Sequence, residues 1–179
     1  MAFTGLGSCG AHVSDATLGM TLLRSPVYAH HAPHPLEHER HTYQYTDQGL
    51  QHFHFLLLPH TGPWQESGII QNAMLLNRPA TKVVETFHEG ILPQHFQGIE
   101  INVENVVLSC LKPAYDQNGM ILRLWESCGR QTDALIRIPF LAQPFHACFA
   151  PYEIKTWRIL PGQMPEECML TEFPFKNEG

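Results

Sequence analysis

ENVVLSCLKPAYDQNGMILRLWE, running from Glu104 to Glu126, decides the fold, because two apolar runs flank a short polar connection that ends in Asn118-Gly119. Asn and Gly tolerate the positive φ of a tight turn, so the segment predicts a β-hairpin. Working outward, EIKTWRI at Glu153 to Ile159 supplies another strand. Turn signals recur along this half of the chain at Glu89-Gly90, Asp116 to Gly119, Cys128-Gly129, Gln143-Pro144 and Pro161-Gly162. The strands predicted between them are Lys82 to Phe87, Ile99 to Val103, Asn105 to Leu111, Met120 to Glu126, Ala134 to Phe140, His146 to Phe149 and Glu153 to Leu160. Short strands at such spacing predict an all-β fold, an antiparallel β-sandwich.

The first half reads less regularly. Thr17 to Arg24 is a strand candidate, and the loop from Ser25 to Arg40 carries Pro26, Pro33 and Pro35, which remove backbone donors. His41 to Thr46 and Leu50 to Leu58 form a second candidate pair around Asp47-Gln48-Gly49. In the latter, Phe53, Phe55 and Leu57 share one face, and His52 and His54 lie opposite until Leu56 and Leu58 make both faces apolar. One short helix is predicted near 64–77. Thr61 can cap it, Pro63 suits its first turn and Glu66 complements the positive dipole end. Ile69, Ile70, Ala73 and Leu76 then form an apolar stripe that ends at Arg78-Pro79, which predicts a helix laid across a sheet.

Composition bounds the function. With 44% hydrophobic and 16% charged residues over 179 positions, the chain can bury a sizeable core without staples. A net charge of −6 gives no basic stripe, which argues against nucleic acid and against an anionic membrane surface. Neutral ligands such as sugars remain open. The five cysteines, Cys9, Cys110, Cys128, Cys148 and Cys168, are odd in number and contain no CxxC pair, so neither a disulfide framework nor a zinc ribbon is indicated. MAFTGLGSCG lacks the basic start and apolar run of a signal peptide, and no apolar stretch approaches the ~20 residues of a membrane helix. The expectation is a cytoplasmic protein.

Several phrases carry a resemblance. Glu104 to Glu126 and EIKTWRI are similar to the phrases ENVVLSALKxAEDGxGLILRLYE and EIKTFRI of glycoside hydrolase family 38, the retaining α-mannosidases. LGMTLLRSP, Leu18 to Pro26, resembles that family's LRLTLLRSP strand, and FHFLLLPHTG, Phe53 to Gly62, resembles its FxYxLxPHxG strand. Trp64 to Arg78 resembles the helix that follows. The phrases keep the family's order over residues 10–173, and they resemble its C-terminal β region.

That resemblance implies two β units. Residues 1–90, helix included, would be the tail of a large sandwich domain, and 91–179 a small C-terminal sandwich. Retaining hydrolysis needs two carboxylates ~5 Å apart, and the family holds these, with zinc or another divalent cation, in an N-terminal barrel that the resemblance does not include. No catalytic residue, no metal ligand and no cofactor are therefore expected in this chain. Its partner would be the α-mannosidase catalytic domain, with mannosides as a second candidate and self-association through a surface meant for burial as a third. The family phrase LLNDxKYG at the active-site rim has no counterpart here, where Thr4 to Gly10 read TGLGSCG. The expectation is a separate C-terminal piece.

Individual residues can be weighed against ordinary packing. Trp125, Trp157 and Tyr28 are candidates for a sugar platform, since pyranose C–H faces stack on aromatic rings. Trp125 and Trp157 flank Arg123 and Lys155 in alternating strands, which predicts a half-exposed face, although strand Trp usually packs. Arg24 in LLRSP and His60 in LPHTG are candidates for contact with the barrel or its rim, and the alternative is loop fixation or capping. His30, His31, His34, His38 and His41 have spacings that could hold zinc, yet Pro33 and Pro35 break the helix this requires, so a solvated loop is favoured. Glu37, Glu39, Glu166 and Glu167 read as solvated charge. Three functions remain: a non-catalytic portion of an α-mannosidase, an independent carbohydrate-binding module, and an inert remnant or protein interaction domain.

Overall fold

A computed structural model describes residues 2–5, 10–27 and 44–175. Among these the architecture is all-β and antiparallel, with one short α-helix. The chain divides into two compact units between Thr81 and Lys82. No helix among the described residues is long and apolar enough to cross a membrane.

The second unit is a two-layer sandwich. One sheet has the order β11-β10-β7-β6, from Glu166–Cys168, Ile154–Ile159, Met120–Glu126 and Val106–Pro113. The other has the order β5-β8-β9, from Glu100–Ile101, Thr132–Arg137 and Phe145–Phe149. Alternation builds the core, since successive strand residues face opposite sides. Leu122, Leu124, Trp157 and Ile159 point inward from the first sheet and meet Ala134, Ile136, Phe145, Ala147 and Phe149 of the second. The Trp157 ring stands edge-on to Phe145 and Phe149, at centroid distances of 5.5 and 6.0 Å, a favoured aromatic geometry.

The hairpin forms where the sequence predicts it, with a different turn. Met120 pairs with Pro113, and a bulge lies between Leu108 and Cys110. The connection runs from Ala114, whose N–H donates to Gly119 O at 3.0 Å. Positive φ falls on Gln117 and Gly119 rather than on Asn118, whose N–H instead bonds Asp116 Oδ1 at 3.0 Å. Gly119 is required twice over, because its φ is +86° and a Cβ there would sit 2.5 Å from Ile159 O.

The outer face of the larger sheet is covered by its own C-terminal strap, 169–175. Arg123 Nη2 donates to Leu170 O at 2.8 Å and Arg158 Nη2 to Glu172 O at 3.0 Å. Ile121, Thr156 and Cys168 are buried, although their strand positions face away from the sandwich interior. The expectation for Glu166 and Glu167 holds in that both are exposed, but they belong to edge strand β11, where Glu167 pairs with Lys155 at 3.2 Å.

The first unit departs further from expectation. β2 (Gly10–Ser14) and β3 (Thr17–Thr21) form a hairpin, and β1 (Ala2–Gly5) pairs with β4 (Phe55–Leu58). The pairing expected between 41–46 and 50–58 falls partly on 41–43, which lie outside the described residues; among the described residues β4 pairs with β1 and Tyr45 bridges Val27. The helix is shorter and begins later. Trp64–Glu66 is a 3-10 turn without a side-chain cap, and the α-helix α1 spans Ile69–Asn77 after Gly68 at φ +68°. Thr61 does not cap it; Ser67 Oγ instead accepts from the Ile69 N–H at 3.2 Å. α1 lies against β1 and β4, as its stripe predicts, and Ile69 is its buried residue.

Candidate functional site

Apolar side chains left exposed among the described residues are the most conspicuous surface feature. In the first unit Ile69 is the one buried hydrophobic side chain among the described residues. Leu56 and Leu58 are half-buried, whereas Phe55 and Leu57 on the opposite face are 42% and 52% exposed. Phe53 continues this face, its ring parallel to Phe55 within 3° at 6.4 Å, and Phe3 from β1 approaches Phe55 at 5.7 Å. A two-stranded sheet with an open aromatic face is marginal in water. Complete burial of a Phe or Leu side chain stabilises by about 1.5–3 kcal/mol, so half of that remains to be gained at each of these positions.

A second such stretch follows the helix. The strand expected over Lys82 to Phe87 does not form, and no regular structure occurs over 82–99. Val84, Phe87 and Ile91 are 96%, 101% and 101% exposed. Their β-branched and aromatic character favours a strand, but a strand needs a neighbour to receive its hydrogen bonds, and none of the described residues provides one there.

The residues singled out in the sequence do not converge. Trp157 lies in the sandwich core at 4% exposure, which corrects the expectation of a half-exposed platform. Register explains it: Trp157 pairs with Leu122, so the two-residue period points it inward, and Trp125 points to the other side of the sheet, half-buried. The two indoles cannot serve one ligand. Tyr28, the histidines from His30 to His41, Glu37, Glu39 and Cys9 lie outside the described residues. Cys110, Cys148 and Cys168 form no disulfide among the described residues.

Arg24 is exposed, and no hydrogen bond or ion pair engages it among the described residues. Ser25, Thr46 and Gln48 fix that loop instead, through Thr46 N to Pro26 O at 2.9 Å and Gln48 to Ser25. His60 does not cap the following helix. Its Nδ1 is buried without a hydrogen-bond partner, an arrangement that costs free energy unless another group supplies one.

One carboxylate went unnoticed in the sequence. Glu126 ends the inward-facing series Leu122, Leu124, Glu126 and is fully buried. Its Oε1 accepts from Asn105 Nδ2 and Cys128 N, both at 2.8 Å, and its Oε2 accepts from Gly129 N, Arg130 N and Tyr152 N at 2.8, 3.1 and 2.8 Å. Burial pushes this carboxyl up, but the Tyr152 N–H, the Asn105 amide and the other N–H donors outweigh it and hold it below the ordinary glutamate value. Every lone-pair direction is occupied, so Glu126 clamps loops together rather than meeting a substrate. No group of three or more His, Cys, Asp or Glu among the described residues is arranged to hold a metal ion.

No protein-family model matches the chain, and no solved structure matches it significantly. Among curated proteins it is similar to alpha-mannosidase 2C1 of Mus musculus, 28% identical over 149 residues that make up 80% of this chain and 13% of the relative. It is likewise similar to alpha-mannosidase 2C1 of Homo sapiens, 27% identical over 142 residues, 78% of this chain and 12% of the relative. The similarity marks a mannosidase-related region that spans a small part of those proteins.

Proposed function

We propose that this chain is the non-catalytic C-terminal β portion of an α-mannosidase of glycoside hydrolase family 38, and that its role is to support the catalytic domain. The observation that carries this is apolar surface left exposed among the described residues, Phe53, Phe55 and Leu57 in the first unit and Val84, Phe87 and Ile91 in the second. The similarity to alpha-mannosidase 2C1 names the kind of protein that would cover it. On this reading residues 1–90 are the tail of a large sandwich whose other strands lie elsewhere in such an enzyme, and 91–179 form a small sandwich. Inter-domain contacts bury ~600–1,500 Å², ample for both stretches. Where that cover is missing, the same surface supports self-association.

Hydrolysis of terminal α-D-mannosides belongs, in this proposal, to the complete enzyme. Zinc or another divalent cation would sit in its catalytic domain. Arg24 and His60 are the polar contacts at this docking face, the orphaned His60 Nδ1 receiving its partner from the neighbour. The test is hydrolysis of p-nitrophenyl α-D-mannopyranoside by the purified chain, with and without added zinc. No turnover is expected. Turnover that survives removal of contaminating enzyme would overturn the proposal.

A further inference from the structure

At the hairpin end of the sandwich, three segments that are distant in sequence meet around a pocket of about 270 Å³. The β6–β7 connection contributes Tyr115, Asp116 and Asn118, strand β10 contributes Arg158, and the C-terminal strap contributes Thr171 and Phe173. Tyr115 is 93% exposed and Phe173 64%, so neither ring is spent on packing.

Beneath these rings the walls are firmly held. Arg158 Nη1 donates to Asp116 Oδ1 at 2.8 Å and to Asn118 O at 2.6 Å, and Nη2 reaches Glu172 O. Glu172 in turn pairs with Lys112 and accepts the Tyr115 N–H at 2.7 Å. The Arg158 guanidinium holds Asp116 below the usual carboxylate range, and Lys112 does the same for Glu172, so both stay ionised at neutral pH. The binding elements are therefore preorganised, which lowers the entropic cost of association.

The groups left over define the ligand. Asp116 engages Arg158 and Asn118 through Oδ1, which leaves Oδ2 as an acceptor, and the Asn118 amide and Thr171 hydroxyl have no partner among the described residues. Each formal charge is balanced by its neighbour, Asp116 by Arg158 and Glu172 by Lys112, so an ionic ligand gains little. A neutral ring with hydroxyls on its edge and C–H bonds on its face fits better, with the edge on the carboxylate and amide and the face on an aromatic ring. The volume is below the ~300–1,000 Å³ of sites for drug-sized ligands, which suits one sugar ring.

We infer that Tyr115, Asp116, Asn118, Arg158, Thr171 and Phe173 form a binding site for a single neutral pyranoside ring. The inference does not depend on the role proposed above, because it stands on this pocket alone. Methyl α-D-mannopyranoside and methyl α-D-glucopyranoside titrated into the isotopically labelled full chain should give saturable amide shifts centred on 115–118 and 171–174, with millimolar affinity. Tyr115→Ala should weaken binding by about threefold to tenfold, with the thermal midpoint unchanged. Phe173→Ala, at a second exposed ring, should weaken it too. The absence of saturable shifts with both glycosides, shifts centred elsewhere, or affinity unaltered in both variants would overturn the inference. Tighter binding of mannose 6-phosphate would overturn the neutral-ligand assignment.

Discussion

Replacing Glu126 with Gln changes one atom and should cost the sandwich much of its stability. The carboxylate accepts two bonds on Oε1 and three on Oε2. A Gln amide must put its NH₂ at one of these positions. With the nitrogen at the Oε1 position, Asn105 Nδ2 and Cys128 N face a donor; with it at the Oε2 position, the N–H groups of Gly129, Arg130 and Tyr152 do. The better orientation still strands two buried donors, at about 1–3 kcal/mol each, so the expected loss is about 2–6 kcal/mol. Urea unfolding of the full chain followed by tryptophan fluorescence reads this directly, since Trp157 reports on the core. The effect also has a pH signature. Because the folded carboxyl titrates below the ordinary value of 4.5, its contribution is complete above that pH and disappears as pH falls through the lower folded value. E126Q should therefore lose that part of the acid sensitivity. A loss below ~1 kcal/mol, or an unchanged acid transition, would refute the clamp, since even one stranded buried donor should cost more than that.

Other perturbations test other parts of the account. Gly119→Ala should destabilise by about 1–3 kcal/mol through positive φ and the clash with Ile159 O, measured as a fall in the thermal midpoint. Trp157→Ala should cost about 3–5 kcal/mol and Trp125→Ala clearly less, since the first indole is buried and the second only half so. Phe55→Ser with Leu57→Ser should reduce concentration-dependent association in sedimentation experiments and leave the second unit's unfolding unchanged; undiminished association would locate the contact elsewhere.

Strands with clear alternation between turn signals were legible, and short ones with little periodic signal were not. Met120–Glu126 and Ile154–Ile159 follow from alternation and turn spacing. β1 could not be foreseen, because Ala2–Gly5 pairs with Phe55–Leu58 far along the chain and four residues carry little periodic signal. The loop at Asn118-Gly119 was located correctly but not its conformation, since the Asp116 side chain satisfies the Asn118 N–H and moves positive φ to Gln117. The half-exposed reading of Trp157 rests on Arg123 and Lys155, whereas counting by twos back from Ile159 places Trp157 inward. Glu126 could have been noticed by the same counting, as a charge that falls on an apolar series. Lys82 to Phe87 reads as a strand because its residues favour one; whether a strand forms depends on a neighbour, and propensity does not encode that.

The central claim is that the open face of Phe53, Phe55 and Leu57 in the first unit leans on a neighbour, whereas the sandwich core of the second unit stands alone. Amide hydrogen exchange on the isolated full chain tests it most directly, because protection reports local stability strand by strand. The account predicts fast exchange at Phe55–Leu58 and strong protection at Met120–Glu126 and Ile154–Ile159. Protection at Phe55–Leu58 equal to that of the sandwich strands, in a monomeric sample, would contradict it.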